Sequence, residues 1–132
     1  MLFRSSAAKW LTIHTFTDTT ACIQALRIRY NKIYTTHLSD EAVSLYNLDL
    51  TESVALIFGN EHAGVSDEIR KLADGNFIIP QVGIIQSLNI SVACAVTIYE
   101  AFRQKSLANH YNQPNAAADA IRNAVASSWG LE

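Results

Sequence analysis

Two short apolar runs decide what this chain can fold into. Residues 54–59 read VALIFG and residues 76–80 read NFIIP. The first is continuously apolar up to its Gly, the second is stopped by Pro, and neither is long enough to span a bilayer. Such runs suit strands buried on both faces, as in a parallel sheet covered by helices on either side. Helix-start patterns surround them. Asp18 precedes residues 19–29, where Cys22, Ile23, Leu26 and Tyr30 recur at helical spacing. Ser66-Asp67-Glu68 opens a helix towards Ala73, with its acidic pair in the first turn where the helix dipole favours it. Residues 32–36 (KIYTT) read as a further strand, and the alternation in residues 9–16 (KWLTIHTF) predicts another. Ser39-Asp40-Glu41 predicts a brief helix towards Tyr46. Strands alternating with helices define an α/β domain with a mostly parallel sheet.

Residues 89–104 form the longest expected helix, and it is unusual. Ile90, Val92, Val96, Ile98, Tyr99 and Phe102 cover most of its circumference. A helix apolar nearly all round must be buried nearly all round. One sheet cannot do that, so a second subunit is expected. After Arg103 the character changes. The run Asn112-Gln113-Pro114-Asn115 breaks the chain, and residues 116–129 form an Ala-rich helix with Ile121, Val125 and Trp129 on one face.

Several function classes are excluded or left without support. Net charge is −2, which neither demands nor forbids nucleic acid. Cys22 and Cys94 sit among apolar residues without metal or redox spacing, and read as small buried hydrophobes in a reducing compartment. His14, His37, His62 and His110 show no metal-ligand spacing and read as ordinary polar residues. No Gly-x-Ser-x-Gly occurs to mark a hydrolase, and no P-loop or dinucleotide fingerprint occurs either. No signal peptide or membrane span is visible, so a cytoplasmic protein is expected.

Two stretches hold candidate chemistry. In FGNEHAGVS, residues 58–66, a buried strand delivers Gly59, Asn60 and Glu61 at its carboxyl end, where open α/β sheets place ligands. A plain strand–helix turn with an exposed Glu explains the same residues. In Ser87-Leu88-Asn89 the polar residues stand at a helix start, and simple capping accounts for them.

Taken together, LIFGNEHAG (residues 56–64) and FIIPQVGIIQSLNISVACAVTIYEAFRQ (residues 77–104) closely resemble the second and third motifs of the TrmH (SpoU) family. These are RNA ribose 2'-O-methyltransferases of the SPOUT superfamily. IYTTHLSDEAVSLYNLDLT, residues 33–51, is similar to the segment ahead of the second motif in tRNA guanosine 2'-O-methyltransferases. The resemblance covers residues 5–105, with order and spacing kept. It implies a SPOUT-type α/β knot, a deep trefoil in which helices cover both faces of a mostly parallel sheet, and a homodimer acting on RNA, tRNA in particular. It implies S-adenosylmethionine as cofactor, with Thr36, Gly59, Ile79, Gly83 and Leu88 lining its site. It places the family's catalytic-motif residues on Glu61, Ser87 and Asn89. No metal is implied.

One departure stands out. The family's first motif is an Asn followed by an Arg considered catalytic, and this chain looks as if it begins downstream of it. Arg4 lacks that context and does not take the role. The expectation is a methyltransferase domain over residues 1–105 without its N-terminal portion, then a tail over residues 106–132 carrying a helix. The competing reading is a catalytically silent module that binds S-adenosylmethionine or RNA, or only dimerises.

Overall fold

The computed structural model describes residues 11–60, 64–83 and 88–130. It divides into two compact units. One is Asp18–Tyr111, and the other combines Met1–Thr17 with Asn112–Glu132.

In the larger unit, helix α1 (Thr19–Arg29) leads into β1 (Lys32–Thr36). Then come β2 (Val43–Ser44), a 3-10 turn at Leu45–Asn47, β3 (Val54–Ile57), α2 (Asp67–Leu72), β4 (Gly75–Ile78) and α3 (Ile90–Leu107). Four strands form one sheet in the order β2-β4-β1-β3, and every pairing is parallel. The register sets Ile33 beside Ala55 and Thr36 beside Phe77.

Side chains alternate across this sheet. Ile33, Ala55 and Ile57 point to one face, where Ile23 and Leu26 of α1 cover them. Tyr34, Leu56 and Phe77 point to the other, against Leu45, Leu48 and Leu50 and the half-buried Val96 and Ala101 of α3. Helices therefore lie on both faces, as expected of α/β order.

Helix starts follow local chemistry. Asp18 accepts the Ala21 N–H at 3.0 Å, and Ser66 accepts that of Ile69 at 3.4 Å. Two expected elements differ. Residues 11–16 are not a strand; Leu11 and Ile13 are exposed, so the alternating pattern has no sheet to lie against. Residues 39–46 do not form an α-helix. Val43 and Ser44 pair instead with Phe77 and Ile78, and the following turn drives Leu45 fully into the core. Burial of that leucine outweighs a weak local preference.

Helix α3 is stitched to the loop over residues 48–52. Gln104 donates to the Leu48 carbonyl at 2.9 Å and accepts from the Leu50 N–H at 2.9 Å. Lys105 donates to the carbonyls of Thr51 and Glu52, each at 3.1 Å. Glu100, only 7% exposed, accepts two bonds from Arg103 and one from Gln104. These bonds, Arg103's above all and then Gln104's, overcome burial and hold its carboxyl down to about 2 from an ordinary 4.5.

A lowered carboxylate stabilises the fold above its unfolded pKa and loses that contribution as pH falls through the folded value. Stability is therefore expected to drop between about pH 4.5 and 2, by roughly 1–3 kcal/mol from Glu100, since the half-exposed Arg103 is screened by water. Asp74, lowered mainly by its bond from Arg27, adds in the same direction. Urea melts across this range check the prediction, and Glu100→Gln should flatten part of the loss.

Within the single chain the helix is buried on one side only. Its inward face carries Thr97 and Glu100, while Val92, Ile98, Tyr99, Phe102 and Leu107 are exposed. Cys22 and Cys94 are free and only half-buried, not fully buried as expected. In the smaller unit, α4 (Ala116–Ser128) is capped by Asn115, which accepts the Ala118 N–H at 3.0 Å. Among the described residues no helix is long and apolar enough to cross a membrane.

Candidate functional site

The central strand β1 has β3 on one side and β4 on the other, and the chain visits them in turn after leaving it. Loops leaving the carboxyl ends of these strands diverge, and open α/β sheets hold ligands at such a crevice. A cavity of about 790 Å³ lies there. Its wall is built from Thr36 at the end of β1, Phe58, Gly59 and Asn60 after β3, Ile79 and Gly83 after β4, and Leu88 and Asn89 at the start of α3. The size suits a small organic ligand.

The cavity thus gathers Thr36, Gly59, Ile79, Gly83, Leu88 and Asn89 from segments far apart in sequence. Glu61 and Ser87 lie outside the described residues. Thr36 accepts the Gly59 N–H at 3.5 Å, tying the first wall to the second. Beyond Gly59 the backbone folds back on itself, where Asn60 and Gly64 form an antiparallel bridge and the Gly64 N–H reaches the Asn60 carbonyl at 3.1 Å. Gly64 has φ +64°, which favours glycine at that turn. Gly59 is required for a different reason. A Cβ there would stand 2.3 Å from the Gly64 carbonyl carbon and 2.6 Å from the Val65 nitrogen. Gly83 has φ +131° with open space around the missing side chain.

Asn89 does serve as a helix cap, as local chemistry alone suggests. Its side-chain oxygen accepts the Ser91 N–H at 2.9 Å. That leaves the amide NH₂ at the cavity wall for another partner. The unpaired N–H groups of an 18-residue helix give the same wall a positive dipole end.

Sequence reasoning missed several lining residues, among them Leu38, Gln81, Ala93 and the polar His37. His37 directly follows Thr36, yet nothing in its local pattern separates it from the other histidines. Among the described residues no group of His, Cys, Asp and Glu is placed to hold a metal ion.

Sheet and cavity together define an α/β domain with a cavity at the carboxyl edge of a parallel sheet, between strand ends and a helix start. The chain belongs to the SpoU rRNA Methylase family, whose sequence profile matches residues 3–99. It is 40% identical over 106 residues to the tRNA (guanosine(18)-2'-O)-methyltransferase of Thermus thermophilus, covering 80% of this chain and 55% of that protein. The enzyme of the same name from Escherichia coli K12 is 37% identical over 107 residues, 81% of this chain and 47% of that one. The chain therefore spans about half the length of these curated relatives. The solved Aquifex aeolicus TrmH/SpoU tRNA modifying enzyme superposes with a TM-score of 0.76 at 34% identity, covering 90% of this chain and 60% of that one. An AdoMet-bound rRNA methyltransferase from Sinorhizobium meliloti gives a TM-score of 0.58 at 32% identity, over 64% of this chain and 33% of that one.

Proposed function

We propose that this chain is the cofactor-binding core of an S-adenosylmethionine-dependent tRNA guanosine ribose 2'-O-methyltransferase, working as a cytoplasmic homodimer. The observation that carries the proposal is the single cavity in which both long motifs meet. The reading includes the trefoil knot that the resemblance implies.

The residues present fit the cofactor. Leu38, Phe58, Ile79, Leu88 and Ile90 supply apolar surface for an adenine ring, while Thr36, Asn60 and Asn89 supply hydrogen-bonding groups for the polar parts. No described lining residue is Lys or Arg, so a sulfonium meets no fixed cation of theirs there. When bound, S-adenosylmethionine supplies an electrophilic methyl group. The protein must then hold a ribose 2'-hydroxyl in line with that methyl and take its proton, because an unactivated hydroxyl is a weak nucleophile near neutral pH. In this reading Glu61, Ser87 and Asn89 position the ribose and the groups that handle its proton. Asn89 does so with the amide NH₂ that capping leaves over.

That division of labour is testable. Asn89→Ser keeps a capping oxygen but removes the amide donors. Its melting temperature should stay close to wild type, whereas Asn89→Ala should lose about 1 kcal/mol. Both should weaken binding or transfer alike. Equal activity of Asn89→Ser and wild type would reduce Asn89 to a cap.

The test of the function itself is calorimetry with S-adenosylmethionine and S-adenosylhomocysteine, followed by transfer of a radiolabelled methyl to unmodified bulk tRNA. Binding of both is the expected result, with poor transfer by this chain, which carries no Asn…Arg motif, and label appearing in tRNA with a protein extended upstream to include one. Binding with no transfer by either protein favours the silent module, and binding of neither removes the cofactor assignment.

A further inference from the structure

The cofactor cavity has a neighbour. A second, polar cavity of about 970 Å³ is lined by His37, Ser39, Asp40, Asp67, Arg70, Lys71 and Asn76, among others. His37 is the only residue named in both walls, and Arg70 belongs to the polar one alone. The histidine is held from two directions. Its backbone N–H donates to the Phe77 carbonyl at 3.3 Å, which fixes it over the end of β4. Its ring Nε2 lies 2.6 Å from Arg70 Nη1.

That contact settles the tautomer. A guanidinium has only donors, so Nε2 must offer its lone pair and the ring proton must sit on Nδ1. Arg70 also forms an ion pair with Asp67 in the first turn of α2. A cation bonded to one ring nitrogen draws electron density through the imidazole and strengthens the other N–H as a donor.

We propose that Arg70, through its bond to His37 Nε2, turns the ring so that its Nδ1–H donates a hydrogen bond to S-adenosylmethionine or S-adenosylhomocysteine in the strand-end cavity. This rests on the cofactor reading above. His37 is then a binding residue and Arg70 a positioning residue that acts through it. The pair connects α2, none of whose residues lines the cofactor cavity, to the ligand.

The tautomer is read without any ligand. Long-range ¹⁵N–¹H spectra of the imidazoles should show His37 protonated at Nδ1, and Arg70→Met should convert it to the usual mixture or to the Nε2–H form. An Nε2–H ring in wild type, or no change in Arg70→Met, overturns the proposal whatever the cofactor does. Addition of S-adenosylhomocysteine should then shift the His37 Nδ1–H resonance. In calorimetry His37→Ala should bind roughly tenfold more weakly, the usual loss for one hydrogen bond. His37→Asn, whose amide nitrogen stands where Nδ1 does, should recover most of that loss. His37→Gln, which reaches the Nε2 position instead, should not. Tight binding with an unmoved His37 resonance, or Gln rescuing better than Asn, overturns the role of His37 and leaves the cofactor site intact. No binding by the wild-type chain overturns both.

Discussion

Replacing Gly59 by alanine should cripple the cofactor cavity, although the change adds one methyl group. The added carbon would stand 2.3 Å from the Gly64 carbonyl carbon, 2.6 Å from the Val65 nitrogen and 2.7 Å from the Gly64 Cα. All three are backbone atoms, so no side chain can swing away to make room. Either Gly64 and Val65 move away from Gly59, or β3 itself shifts. Overpacking of this kind costs about 1–3 kcal/mol. If the strain falls on the ligand-competent form alone, that energy corresponds to roughly a 10–100-fold loss of affinity. The expected result is a lower melting temperature together with S-adenosylhomocysteine binding weakened at least tenfold. Gly83→Ala is the informative contrast. Its Cβ meets nothing among the described residues within 4 Å, and the φ of +131° opposes it. The cost there is backbone strain of about 1–3 kcal/mol, and a ligand can still enter. Wild-type melting and affinity in Gly59→Ala would show that the close approach of Gly64 and Val65 does not shape the site.

The contrast between the two glycines also shows what a sequence can reveal. Both stand in motifs, but only coordinates show that one is packed against backbone and the other is open. The elements that were legible are those with strong local causes. VALIFG became the strand Val54–Ile57, and Asp18, Ser66 and Asn89 each cap the helix they precede. Elements that depend on distant partners were not legible. Ser39-Asp40-Glu41 resembles a helix start, yet the pairing of Val43 with Phe77 decides the local backbone. The alternation of residues 11–16 is real, but no described strand pairs with it.

The site divides along the same line. Gly59 and Leu88 were readable because their motifs are long and contiguous. His37 was not, because its bonded partner is Arg70, 33 residues away and on another element. A histidine's neighbours in sequence say nothing about which ring nitrogen is occupied. Asn89 caps α3 with the oxygen of its amide, and that leaves the nitrogen for the role proposed for it.

The second large effect is expected on assembly. Val92, Ile98, Tyr99 and Phe102 line the outer side of α3, with Tyr99 76% and Phe102 55% exposed, while the inner side closes over the core. Phe102 stacks on Tyr111 at 5.3 Å between ring centroids, which extends the apolar surface beyond the helix. Contiguous patches of this kind mark interaction surfaces. A second copy of this chain is the occupant we infer, because an isologous contact lets one patch satisfy itself about a two-fold axis. Sedimentation should therefore give a dimer at micromolar concentration. Tyr99→Asp should leave the helix content of the chain unchanged, since the side chain is exposed in the single chain. It should nevertheless dissociate the dimer, because two carboxylates would be desolvated side by side. Val96→Asp should behave differently. Val96 packs on the Leu45–Phe77 cluster, so a charge there should unfold the protein rather than separate its copies. Leu88 and Ile90 belong to the cavity wall at the start of this same helix, so separation should also weaken cofactor binding. A wild-type monomer, or a Tyr99→Asp protein that stays dimeric, would place the interface elsewhere and leave the outer face of α3 for a different partner.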